Sequence, residues 1–310
     1  PHSLSQEGNS PLHVCKTAEL ATALLQAGAN PHRGKDAQGK TAYEMQTPEI
    51  RDAINKFTLF CDRFEIISAD TPEHATPTSV VLRATDKRAD DAATASEVAI
   101  KLMMHEDQFL RERSEREGLD PKYVVEVICH SEDMTLKGIW TAELTKVPKW
   151  KHYRFGIIMP AAQRNLAVVL LQERVDLPLA KEIFTFLAEA LGHLHANGRL
   201  HGDFKPLNVM RSASGEWMLI DLDGAVKLGH PIGAKALSTA FVGPEATFKG
   251  ADGEVGFRVP KSGVETAALE YELLPGHPTF DLWSLMVVLY RTFAHKPLIE
   301  ADDRDNLRSK

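Results

Sequence analysis

The chain has 310 residues, 43% of them hydrophobic and 25% charged, with a formal net charge of −7. This is the composition of an ordinary globular protein with core to bury, and its acidic balance argues against nucleic acid as the main partner. Cys15, Cys61 and Cys129 are widely spaced without a CxxC pair. They predict a reducing, cytoplasmic setting rather than a disulfide framework or a zinc site. No apolar run approaches a membrane span and no signal peptide opens the chain. The first residue is Pro1 rather than Met, and the expectation is a fragment of a longer protein.

In chain order, Ser10 and Pro11 predict a capped helix start. Glu19 to Ala27 predicts a helix with Leu20, Ala23 and Leu24 on one face, stopped by Gly28. Thr41 starts a second unit, closed by a helix from Pro48 to Phe57. The run Ser10-Pro11-Leu12-His13 and its partial recurrence at Thr41 are similar to the T-P-L-H-x-A start of ankyrin repeats. About one and a half repeats are visible. The resemblance implies protein binding over residues 1–57 and further repeats upstream, because such units bury their faces only against neighbours.

A connector at 58–63 follows. Apolar runs at 64–69 and 79–85 predict strands, joined by a loop with Pro72 and Pro77 and no glycine. Val98-Ala99-Ile100-Lys101 predicts an apolar strand ending in an ammonium, and 105–118 predicts a helix rich in Arg and Glu. Tyr123–Ile128 and Phe155–Met159 predict two more strands. Apolar residues at Leu179, Ile183, Phe186, Leu187, Ala190, Leu191 and Leu194 mark one face of a helix ending at Asn197-Gly198.

That helix delivers the chain to His201-Gly202-Asp203-Phe204-Lys205-Pro206-Leu207-Asn208. Val209-Met210, a Ser214-Gly215 turn and Trp217–Ile220 predict a hairpin that folds Asp221 back beside Asn208. A carboxylate and an amide oxygen together suit a hard Mg²⁺ ion. Asp203 is placed to accept a proton from an attacking hydroxyl, and Lys205 to offset charge on a moving phosphoryl group.

These stretches resemble the protein kinases, whose motifs are V-A-I-K, H-R-D-x-K-x-x-N, D-F-G and A-P-E. Here the corresponding runs are VAIK at 98–101, HGDFKPLN at 201–208, DLD at 221–223 and GPE at 243–245, with DLWS at 281–284. The resemblance implies an α+β, two-lobed kinase-like fold behind an α-helical ankyrin segment. A small antiparallel β lobe with its hinge would span 64–162, and an incomplete, largely helical lobe 163–310. It implies ATP bound between the lobes, with Val80, Ala99, Lys101, Met159 and Ala162 in contact with nucleotide, and Mg²⁺ on Asn208 and Asp221. Asp203, Lys205 and Lys101 would be catalytic. Glu112 is the partner expected for Lys101, with Glu115 as the alternative.

The resemblance makes His201 a packing residue and gives Ser238 a bond to Asp203 and Lys205. It ties Glu245 to an arginine that the sequence does not identify, and makes Asp281 a brace for the backbone near His201. Lys205 and Ser238 favour serine or threonine as acceptor in a protein substrate. Gly202 stands where the family has Arg, so activity is expected not to need a phosphate on residues 224–240. Asp223 stands where it has Gly, and the 70–77 loop lacks the family's glycines. These departures carry the alternative of a pseudokinase scaffold that binds partners with little or no transfer. Apolar surface is expected on the helix from Asp281 to Phe293, and a long mobile surface loop from Glu245 to Asp281, through Ala251-Asp252-Gly253 and Pro275-Gly276.

Overall fold

A computed structural model describes residues 4–67, 69–87, 97–233, 238–250, 255–258 and 271–300. The chain forms a mixture of helices and antiparallel strands and divides into two compact units. The first holds Pro1–Leu102 and His130–Arg154; the second holds Met103–Cys129 and Phe155–Lys310. The segment around Ala251-Asp252-Gly253 and part of the 224–240 stretch lie outside the described residues.

The first unit opens on a turn rather than the expected helix at Ser10. The Ser10 backbone N–H donates to His13 Nδ1 at 3.0 Å, and that ring also meets the Ser10 hydroxyl at 2.9 Å. The ring thus occupies the cap and closes a single turn. Helix α1 (Ala18–Gln26) is capped by Thr17, whose side chain accepts from Leu20 N–H. Helix α2 (Ala42–Met45) begins with a reciprocal capping box between Thr41 and Glu44. Helix α3 (Pro48–Thr58) starts on a proline, which gives up no hydrogen bond there. Leu12, Ala21, Leu25, Ala42, Ile50 and Ile54 close a small core of their own.

The connector after α3 is held firmly. Cys61 and Asp62 both take φ of 53°. The Cys61 N–H donates to Glu143 Oε2, and Lys146 Nζ donates to the carbonyls of Lys56 and Leu59, each at 2.6 Å. Glu143 ends the short helix that follows Ile139, and Trp140 of that turn packs edge-on against Phe60 at 5.2 Å. The strands that follow are β1 (Phe64–Ile66), β2 (His74–Ala75), β3 (Ser79–Asp86) and β4 (Glu97–Met103). Strand β3 lies beside β4 and pairs antiparallel with both β1 and β2. Its burial alternates, as a strand with one covered face requires.

The second unit is built around a helical core. Helix α4 (Glu106–Ser114) buries Gln108, Phe109 and Glu112, and the Phe109 ring stacks on Phe155 at 5.5 Å. Residues 123–128 do not form the expected strand of the small sheet. Val124 makes a parallel bridge to Leu219, with Val125 N–H to Leu219 C=O at 3.0 Å and Leu219 N–H to Tyr123 C=O at 2.8 Å. The apolar pair Val124-Val125 is buried, and Val124 belongs to the helical core of this unit.

Helix α5 (Leu177–Ala196) is capped by Asp176 and buries Ala180, Ile183, Leu187, Ala190, Leu191 and Leu194. It ends at Gly198, whose φ of +71° is the left-handed turn that glycine adopts without steric cost. Helix α6 (Pro278–Ala294) buries Phe280, Asp281, Ser284, Leu285, Val287, Val288 and Thr292. Its other face exposes Leu282, Trp283, Met286 and Phe293.

Candidate functional site

The polar loop His201–Asn208 lies in the second unit. It follows a short strand, Arg199–Leu200, which pairs with Val226–Lys227. Its backbone is held by one buried carboxylate. Asp281, fully buried on α6, accepts from His201 N–H at 2.9 Å and Gly202 N–H at 3.1 Å. The same carboxylate meets His195 Nε2 of α5 at 2.9 Å. His201 is also fully buried, with Nε2 on the Ile220 carbonyl at 3.2 Å and its ring edge-on to Phe204. Both act on the loop's conformation.

On this support, Asn208 Nδ2 donates to the Asp203 carbonyl at 2.8 Å and to Asp203 Oδ2 at 3.3 Å. Lys205 Nζ lies 3.5 Å from Asp203 Oδ2 and donates to Ser238 Oγ at 2.7 Å. The hairpin after it pairs Val209 with Leu219, Met210 with Met218 and Arg211 with Trp217. Ile220 N–H then bonds the Asn208 carbonyl at 3.0 Å, which seats Asp221 next to that loop. Asp221 takes φ +63°, ψ +66°, a left-handed conformation that costs a non-glycine residue about 1 kcal/mol.

The turn Leu222–Gly224 presses on the polar loop backbone to backbone. Gly202 has φ +74°, and a Cβ there would fall 2.2 Å from the Gly224 carbonyl oxygen. The position that the kinase family gives to arginine therefore accepts no side chain here. On the turn's other side, Gln108 Nε2 donates to Asp223 Oδ2 at 2.9 Å, and Arg111 Nε to the Asp223 carbonyl at 3.3 Å.

One turn along the same helix, Glu112 is fully buried and paired with Arg116 at 2.8 Å. The alternative, Glu115, pairs with Arg199 at 3.2 Å. Carboxylate oxygens of Glu112, Asp221 and Asp223 lie within 4.8 Å of one another. Like charges this close repel unless a cation or proton offsets them. Such a set of carboxylate oxygens is the hard-oxygen kind that fits Mg²⁺; the Asn208 amide is turned to Asp203.

The remaining predicted residues are placed as follows. Val80 and Lys101 are buried on β3 and β4 of the first unit, with Ala99 half-buried. Met159 and Ala162 are buried in the second unit. Glu245 is exposed on the turn Pro244–Ala246.

Asp223 stood out in the sequence only as a departure from the family pattern, and Arg116 belonged to the Arg- and Glu-rich helix expected at 105–118. The spacing of Gln108, Glu112 and Arg116 by four residues was the available signal, since it puts all three on one helical face. Beyond the site, the Arg211 guanidinium bonds Glu173 and, with Arg164, holds its carboxyl below the usual range despite some burial.

Among the described residues no helix is long and apolar enough to cross a membrane. No protein-family model matches the chain. Over 69% of its length it is 28% identical to the probable serine/threonine-protein kinase PknB of Corynebacterium glutamicum, and it covers 33% of that protein's length. The chain is thus similar, across more than two thirds of its own sequence, to a protein described as a serine/threonine kinase.

Proposed function

We propose that this chain carries an ATP-dependent serine/threonine protein kinase unit of the type that lacks arginine before the loop aspartate. Residues 64–162 and 163–310 would form its two parts, joined through 58–63 to an ankyrin-type segment at 1–57 that binds a protein partner. The observation that carries the reading is the grouping of Asp203, Lys205, Asn208 and Asp221 on one loop and hairpin, with the loop backbone tied to buried Asp281.

In this reading Asp203 takes the proton of the attacking serine or threonine hydroxyl. Lys205, steered by Ser238, sits beside the charge that moves with the phosphoryl group. Asp221 and Asn208 would hold Mg²⁺, which neutralises phosphate charge when bound. Lys101 serves the phosphates, with Glu112 in its supporting role. Val80, Ala99, Met159 and Ala162 serve the adenine end. Catalysis of this kind is positioning and charge stabilisation, with no covalent intermediate on the protein.

The reading is tested by thermal denaturation with Mg·ATP. Nucleotide at a hundred times its dissociation constant stabilises a folded protein by about 2.7 kcal/mol. The expected result is a rise in melting temperature that needs Mg²⁺ and is lost in Asp221→Asn. No rise at millimolar Mg·ATP would sink the proposal.

One observation favours the second reading, a kinase-like scaffold without turnover. In the turn after β2, Thr76 N–H bonds the Ser79 carbonyl at 2.8 Å, and Thr76 Oγ1 accepts from Ser79 N–H at 3.0 Å and Thr78 N–H at 3.3 Å. These N–H groups are used within the turn, and Pro77 has none to offer a phosphate. Binding of Mg·ATP without transfer of phosphate to any protein acceptor would favour the scaffold.

A further inference from the structure

The loop that bears Asp221 is gripped from two sides within the second unit. On one side Gly202 lets the Gly224 carbonyl approach to a distance that any Cβ would block. On the other, Gln108 and Arg111 of α4 bond the side chain and backbone of Asp223. We propose that Asp223 is a positioning residue, a latch that ties α4 to the loop of Asp221 and holds both in place without a phosphate. This rests on the kinase reading for its consequence, but not for its geometry.

Three features support the latch. First, Asp223 is buried, so its bond to Gln108 forms away from competing water. Second, Gln108 turns its amide N–H toward Asp223 and leaves its own Oε1 buried without a hydrogen-bond partner among the described residues. A buried unsatisfied carbonyl is destabilising, so an apolar side chain would serve stability better here. Third, Glu112 lies one turn from Gln108 on the same helical face. Fixing Gln108 to Asp223 therefore sets the rotation of α4 that faces Glu112 toward Asp221. The absence of an arginine at 202 and the presence of an acid at 223 become parts of one arrangement. The first makes room for the turn and the second fastens it.

The test is amide hydrogen exchange on the full chain, comparing wild type with Asp223→Ala, Gln108→Ala, the double variant and Asp223→Asn. Asparagine keeps an oxygen that can accept from Gln108. Loss of one buried hydrogen bond opens a segment about ten-fold more often. Each alanine variant should speed exchange about ten-fold at residues 222–225 and 106–112, with α5 unchanged. The double variant should add little to either, and Asp223→Asn should stay close to wild type. The expected kinetic counterpart is a raised KM for Mg·ATP at near-constant KM for the protein acceptor.

Unchanged exchange in 222–225, or alanine effects that simply add, would overturn the latch whether or not the chain transfers phosphate. A latch seen by exchange in a chain that transfers no phosphate would leave the geometry standing and defeat the kinase reading alone.

Discussion

The turn at 76–79 and the loop at 201–208 are both short polar segments, yet they use their backbones in opposite ways. The turn spends its N–H groups on its own carbonyl and hydroxyl oxygens. The loop has His201 and Gly202 N–H taken by Asp281, and displays Asp203, Lys205 and Asn208 from the backbone so fixed. In the first the backbone is closed to a ligand. In the second the side chains are the chemistry and the backbone is scaffolding. If this chain handles phosphates, the capacity lies with side chains on a braced loop and not with a cradle of amides.

The largest effect should come from the brace. Asp281→Ala leaves two buried N–H groups and a histidine without their acceptor and should cost about 3–5 kcal/mol, measured by urea denaturation. A loss under about 1 kcal/mol would mean the loop does not depend on it. Next is Gly202→Ala, which meets the Gly224 oxygen and strains a left-handed backbone. About 2–3 kcal/mol of destabilisation is expected by the same assay, from the αL cost plus the clash. Wild-type stability in Gly202→Ala would show that the two loops are not pressed together.

Ser238→Ala removes the hydroxyl that steers Lys205, at a cost of about 1 kcal/mol and a several-fold fall in transfer rate. Equal rates would dismiss the steering role. The smallest effect lies outside the site. Glu173 ionises more readily in the folded chain because Arg211 and Arg164 bond it. Its contribution is present above the ordinary glutamate range and is lost as pH falls through the lowered folded value. A solvent-screened, half-buried pair of this kind is worth under about 1 kcal/mol. Acid titration of Glu173→Gln should therefore match wild type at low pH and fall slightly below it at neutrality.

Much of the second unit could be read from sequence. The apolar spacing in 179–194 and the Ser214-Gly215 turn are local signals, and they locate α5, the hairpin and the seat of Asp221. Asp281 at a helix start looks like a cap; its bonds span about 80 residues and were reached only through a family resemblance. Residues 123–128 misled because an apolar, β-branched run signals extended chain without saying what it pairs with. Val124 found Leu219. Ser10 misled in the other direction, since the nearby His13 ring takes the hydroxyl that would have capped a helix. Gln108 and Asp223 carry no local signal for one another, because a bond across 115 positions leaves no periodicity.

The most direct test of the kinase reading is transfer of labelled γ-phosphate from ATP to a generic protein acceptor, comparing wild type with Asp203→Asn. Removing a positioned base typically slows such chemistry by about 10²–10⁴-fold. Serine and threonine labelling by the wild type, lost in a variant that melts at the same temperature, is the predicted result. Equal labelling by both proteins, or none from a folded wild type that binds Mg·ATP, would contradict it.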